Sequence, residues 1–157
     1  MIWTGRFAFL LAGALSLGHL PATRADARPD RIVKVLPHYV DWEGRHALSP
    51  SLFERDAYQV ILKTNPEKRG GMQFDVRWKA RKAPGRQLAL RLEMVTEQHP
   101  KGRPLLIETP LPSGSKGGWA RVKVDAATLR KAGEMIAWRV SLVEGGQALS
   151  SRQSFLW

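Results

Sequence analysis

Strict two-residue alternation constrains this chain more than any other feature of it. In "MQFDVRWKA" the apolar Met72, Phe74, Val76, Trp78 and Ala80 are separated by Gln73, Asp75, Arg77 and Lys79. Successive side chains of an extended strand point to opposite faces, so this pattern specifies a strand buried on one side and solvated on the other. A helix would scatter the same residues around its axis. "QLALRLEMVT" repeats the pattern with Leu88, Leu90, Leu92 and Met94, and the intervening "APGR" supplies the Pro and Gly of a turn. The two segments predict an antiparallel pair.

Further strands are predicted over Leu105 to Leu111, Trp119 to Val124, Met135 to Val143 and Ala148 to Leu156. The separators are "PSGSKGG", a short Asp125 to Gly133 connection, and Gly145-Gly146, which suits a two-residue hairpin. Ile32 to Leu36 brings the count to seven. Seven short strands punctuated by turns predict an all-β fold, a β-sandwich of immunoglobulin or fibronectin-III type, although the Cys, Trp, Cys spacing is absent.

One segment breaks the β pattern. In "SPSLFERDAYQVILKTNPEKRGG", Ser51 and Glu54 form a capping box, and Phe53, Ala57, Val60 and Ile61 share one helical face. Asn65-Pro66 and Gly70-Gly71 then end the run. The prediction is a helical insertion over about 51–64, between the first and second strands, closing one end of the sandwich. A strand competes for the same residues, since Tyr58, Val60 and Leu62 also alternate.

Residues 1–27 have the layout of a signal peptide: Arg6, an apolar run of 14 residues from Phe7 to Leu20, and Ala25-Asp26-Ala27 as an A-x-A cleavage site. The run is shorter than the roughly 20 residues of a membrane-spanning helix, and no second stretch of that length follows. The expectation is an exported chain, periplasmic or extracellular, folded as one domain over residues 28–157. It contains no cysteine, which excludes disulfides, thiolate metal sites and a lipid-anchored cysteine. A domain of this size can fold without such staples.

Charge says more about partners than about fold. The whole chain carries +11, of which the leader contributes +1, leaving +10. This excess favours anionic envelope polymers or lipid headgroups. Nucleic acid is not an expected partner. With the alternation set as above, Arg77 and Lys79 face outward, followed by Arg81 and Lys82, and in "GWARVKVD" so do Trp119, Arg121 and Lys123. In an immunoglobulin-like order the two strands are neighbours. Arg77, Lys79, Arg81, Trp119, Arg121 and Lys123 are therefore the candidate ligand-binding residues, a basic face with an exposed indole. A protein partner bound by edge-strand addition is the alternative for a non-catalytic module.

An enzyme would have to use "LPHYVDWEGRH", with His38, Asp41, Glu43 and His46, together with Glu54 or Asp56. The loop has none of the repeated close spacing of zinc motifs, and Arg45 and Arg55 suggest simple ion pairs for the acids. It reads as a polar loop whose Tyr39 and Trp42 pack against the sandwich. "SGSK" at 113–116 matches S-x-x-K formally, but its glycines imply a flexible connection. The terminal "SSRQSFLW" ends as outer-membrane strands do, yet the strands are too short for such a barrel. Phe155 and Trp157 are instead expected to anchor the last strand in the core. No cofactor or metal is expected, and the function predicted is an exported binding or structural envelope module.

Overall fold

The computed structural model describes residues 30–157; the leader and its cleavage site lie outside the described residues. The strands are β1 (Arg31–Asp41), β2 (Arg69–Lys79), β3 (Leu88–Thr96), β4 (Leu105–Pro110), β5 (Gly117–Asp125), β6 (Met135–Glu144) and β7 (Gln147–Gln153). Helix α1 (Leu52–Thr64) follows β1, and α2 (Ala126–Ala132) joins β5 to β6. All strand pairings are antiparallel. They form a three-stranded sheet in the order β1-β2-β5 and a four-stranded sheet in the order β4-β3-β6-β7.

The predicted alternation is what packs the sheets together. Met72, Phe74, Val76 and Trp78 of β2 and Leu88, Leu90, Leu92 and Met94 of β3 are all buried, with Val122, Val124, Val140 and Leu142. Phe74 is fully buried and meets Trp138 edge to face at 5.9 Å. Where β1 passes β7 the gap is bridged, the Ile32 amide donating to Ser150 Oγ at 3.2 Å.

Several boundaries differ from the prediction. β1 runs to Asp41 instead of stopping at Leu36, and β2 begins at Arg69, so Gly70-Gly71 belong to a strand instead of a helix end. Gly117 and Gly118, expected in a flexible loop, open β5. Gly117 has φ +139, and a Cβ there would lie 2.5 Å from the Trp78 carbonyl oxygen, so only glycine lets β5 start this close to β2. The Asp125 to Gly133 connection is helix α2. Its cap is Asp125, which accepts from the Thr128 amide at 2.9 Å and the Thr128 hydroxyl at 2.7 Å. Leu129 and Ala132 fill the space this helix covers.

Helix α1 occupies the predicted residues, capped by Ser51, but it faces the other way. Phe53, Val60 and Ile61, expected to be buried, are 83%, 60% and 42% exposed, while Leu62 is fully buried. Polar anchors decide the orientation. Tyr58 donates to Asp41 at 2.7 Å, and Gln59 exchanges hydrogen bonds with both backbone groups of Tyr39 at 2.8 and 2.9 Å. The C-terminus is a second correction. Phe155 is fully exposed, and Trp157 lies outside the core under the Arg139 guanidinium, 4.5 Å from its ring centroid. Arg139 is itself held by Glu93 at 2.6 and 2.7 Å.

Candidate binding face

The register of the three-stranded sheet lays its outward residues in rows. Lys34, Arg77 and Trp119 form one row, Leu36, Asp75 and Arg121 the next, and His38, Gln73 and Lys123 the third. Arg31, Lys79 and Gly117 stand above the first row in the same register. The two segments predicted to carry the basic face are thus adjacent strands.

Their side chains are partnered unequally. Asp75 divides them: Arg121 Nε reaches its carboxylate at 3.2 Å, and Gln73 donates to it at 2.9 Å. Arg81 is drawn to Asp30, its amide at 2.7 Å and its guanidinium at 3.7 Å. Asp30 also receives Arg86, whose guanidinium simultaneously grips Glu144 with two bonds of 2.8 Å. Through the Arg86 hydrogen bond, opposed by burial and aided by Arg81, the Asp30 carboxyl is held below its usual range. Lys123 lines a different depression, with Trp42, Gly70 and Asp125.

What remains is a bowl. Arg77, Lys79 and Trp119 line a hollow of about 560 Å³ together with Arg31 and Lys116, and among the described residues no carboxylate borders it. Gly117 and Gly118 form part of its lining, and a Cβ on Gly118 would meet nothing within 4 Å. Trp119 is 53% exposed, with the Arg77 guanidinium 5.9 Å from its ring centroid. Among the described residues no carboxylate pairs with Arg31, Arg77, Lys79 or Lys116. Sequence reasoning missed Arg31 and Lys116. The signal for Arg31 was hidden by the irregularity between Ile32 and Lys34, which shifts the alternation of β1. Lys116 belongs to a turn whose carbonyl accepts from the Ala80 amide at 2.9 Å, and that fixes it beside β2.

The residues around His38 to His46 go to three places. Asp41 is a structural hub that accepts from Tyr58 at 2.7 Å and from the backbone and side chain of Arg45, both at 2.8 Å. Burial raises its pKa, but the Tyr58 and Arg45 hydrogen bonds outweigh that and bring it down to about 2. Glu43 pairs with Arg45, and Asp56 with Arg55 at 3.0 Å, as the arginine spacing suggested. Tyr39 packs against the core, whereas Trp42 is 62% exposed and donates to the Glu67 carbonyl at 2.9 Å, which corrects its expected packing. His38 and His46 meet at 4.4 Å between ring centroids, bordering a hollow of about 210 Å³ with Asp56, Gln59 and Asp75. Among the described residues no group of three or more His, Cys, Asp or Glu side chains is placed to hold a metal ion.

His38 Nε2 is buried without a hydrogen-bond partner among the described residues and stands 3.6 Å from Asp75. Burial and then His46 push its pKa below 6.5, and Asp75 opposes them only in part. A histidine with a depressed native pKa binds fewer protons folded than unfolded, so its stability contribution is full above pH 6.5 and lost as pH falls. Urea unfolding is expected to show stability falling below that pH with a slope of at most about 1.4 kcal/mol per pH unit. The slope should disappear in His38→Gln. An unchanged slope in that variant would assign the effect to another group.

The free edge of β1 is obstructed around residues 37–39. Gln59 occupies both backbone groups of Tyr39, and Pro37, two residues earlier on the same edge, has no amide to offer. In comparisons with known proteins, no protein family, no characterised protein and no solved structure matches the chain.

Proposed function

We propose that the chain is an exported, non-catalytic binding module of immunoglobulin- or fibronectin-III-like architecture that takes anionic envelope polymers or lipid headgroups in the bowl beside Trp119. The observation that carries this reading is the convergence of Arg31, Arg77, Lys79 and Lys116 on a hollow bordered by an exposed indole and, among the described residues, by no carboxylate. Like charges crowded this way are unfavourable in the free protein, and an anion relieves them. The indole adds a stacking surface for a sugar ring or a cation-bearing headgroup. The sandwich reading rests on the order β1-β2-β5 against β4-β3-β6-β7, in which the second and fifth strands are neighbours as in immunoglobulin sheets. Export rests on the leader-like composition of residues 1–27.

The test is binding of residues 28–157 to vesicles containing an anionic phospholipid, and separately to a polyuronate, over a salt series. Both the sheets and the core lie within residues 30–157, so this piece carries the whole described fold. Each cation near an anionic surface contributes about 1 kcal/mol, so Arg77→Glu with Lys79→Glu is expected to weaken binding about 30-fold or more. Arg121→Gln, which removes a cation already paired with Asp75, should cost much less. Binding that ignores salt, or that survives the double reversal, would remove the bowl from consideration. A preference between the two ligands would identify the source of the anion.

A further inference from the structure

We infer that the outward face of α1 is a self-complementary surface on which a second copy of this chain docks, helix against antiparallel helix. Phe53, Ala57, Val60 and Thr64 recur at the spacing of a single stripe, spread over about 60° at 100° per residue. The stripe lies opposite Tyr58 and Leu62, through which the helix is attached to its own sandwich. Phe53 and Val60 are 83% and 60% exposed, and Leu52 and Leu48 extend the apolar surface at 66% and 61%. This is the face the apolar pattern of α1 was expected to bury, and nothing in the described fold covers it.

The charges beside the stripe select the occupant. Asp56 and Lys63 lie seven residues apart on the same flank, so they are two turns apart along one line. In an antiparallel pair like flanks meet. The register that sets Ala57 against Val60 of the second copy also sets Phe53 against Thr64 and brings Asp56 beside Lys63, each pair occurring twice about the two-fold axis. Ala57 near that axis allows the helices a close approach. Lys63 has no carboxylate within 4 Å among the described residues, and Asp56 has only the exposed contact with Arg55 at 3.0 Å. An anionic membrane is a poorer occupant, because Glu54 and Asp56 leave α1 without net positive charge. The area available on a 13-residue helix is below the roughly 800 Å² per partner of a standard interface, so the association is weak and seen only at high concentration.

Sedimentation velocity on residues 28–157 from about 5 to 500 μM, the range where weak association appears, tests this. The weight-average sedimentation coefficient is expected to rise toward the dimer value across that range. Phe53→Glu with Val60→Glu should hold it at the monomer value. Lys63→Glu alone and Asp56→Lys alone should each weaken association about tenfold, and the two together should restore it, because the swap regenerates both pairs. All these positions are solvent-exposed, and circular dichroism of each variant shows whether the fold is intact. A monomer at every concentration overturns the proposal. So does association that survives the glutamate pair, or a charge swap that fails to restore what its single changes removed. Vesicle binding lost only in the glutamate pair, with the parent monomeric, would reassign the face to a membrane.

Discussion

Arg69→Ala is expected to lower the unfolding free energy by about 2 to 3 kcal/mol, the cost of leaving buried helix carbonyls without their donor. Arg69 is 6% exposed, and every branch of its guanidinium is used. Its Nε donates to the Leu62 carbonyl at 2.6 Å, one terminal nitrogen to the Lys63 carbonyl, and the other to Glu134 at 2.7 Å. The first two are carbonyls of the last turn of α1, which lack intrahelical partners and carry the negative end of the helix dipole. The guanidinium also lies 4.3 Å from the centroid of Tyr39, whose hydroxyl donates to the same Glu134 at 3.2 Å. One side chain at the start of β2 thus caps α1, fixes it to β1 and links it to the residue preceding β6. Its removal leaves the buried Leu62 carbonyl and the neighbouring Lys63 carbonyl without their donor, and the half-exposed Glu134 without its partner.

Chemical denaturation measures the loss, and hydrogen exchange over residues 52–64 locates it. Exchange in α1 should accelerate more than exchange in β3 or β6, because the helix has little apolar burial of its own beyond Leu62. Arg69→Lys should recover only part of the stability, since an ammonium cannot reach three acceptors in one plane. A loss below about 1 kcal/mol in Arg69→Ala would show that Tyr58 and Gln59 hold the helix without it.

Arg69 also marks the limit of what the amino-acid order made legible. The strands of residues 72–80 and 88–96 were visible because each buries one face, and burial writes a period of two into the sequence. The α1 stripe was equally visible, but its direction was not. Packing a helix by Tyr58, Gln59 and Leu62 depends on Asp41, Tyr39 and Arg69, and their meeting is a property of the folded chain. The short α2 buries Ala126, Leu129 and Ala132, too few apolar positions to show a period against a strand background. An aromatic residue ending an alternating run predicts a core anchor at Trp157, but a guanidinium fixed by Glu93 offers its ring a cation–π partner at the surface instead.

The candidate site divides in the same way. Arg77, Lys79 and Trp119 were found because the alternation aims them outward and the β2-β5 pairing makes them neighbours. Arg121 and Arg81 satisfied the same rule, yet Asp75 and Asp30 occupy them. Sign and direction can be read from one strand. Pairing requires knowing which carboxylate the register brings across, and Asp75 lies directly opposite Arg121. Arg31 and Lys116 come from a strand end and a turn, where no periodicity guides the reading.

Gly70→Ala is expected to destabilise the fold by about 3 kcal/mol or more, at or above the upper end of the range for overpacking, because no side chain can yield to the added methyl. Val40 pairs with Gly71 and Asp41 with Arg69, so Gly70 is the extra residue of a bulge in β2. A Cβ there would stand 2.2 Å from the Asp41 carbonyl oxygen and 2.8 Å from Trp42 Cα. Both are backbone, and the same Asp41 oxygen accepts from the Gly44 amide at 3.0 Å in the turn that follows β1. Relieving the clash must therefore move the turn, and with it the amides and guanidinium that hold the Asp41 carboxylate. Urea unfolding should show a lower midpoint with little change in slope. The Asp41 pKa, followed by carboxylate NMR, should rise from about 2 toward 3.8 as those donors draw away. Gly102→Ala is the matched control, for a Cβ there meets nothing within 4 Å, and its stability should stay within about 0.5 kcal/mol of the parent. Equal midpoints for the two variants would mean that β1 and β2 separate freely at this end. The bulge would then not be what turns Arg69 toward the end of α1.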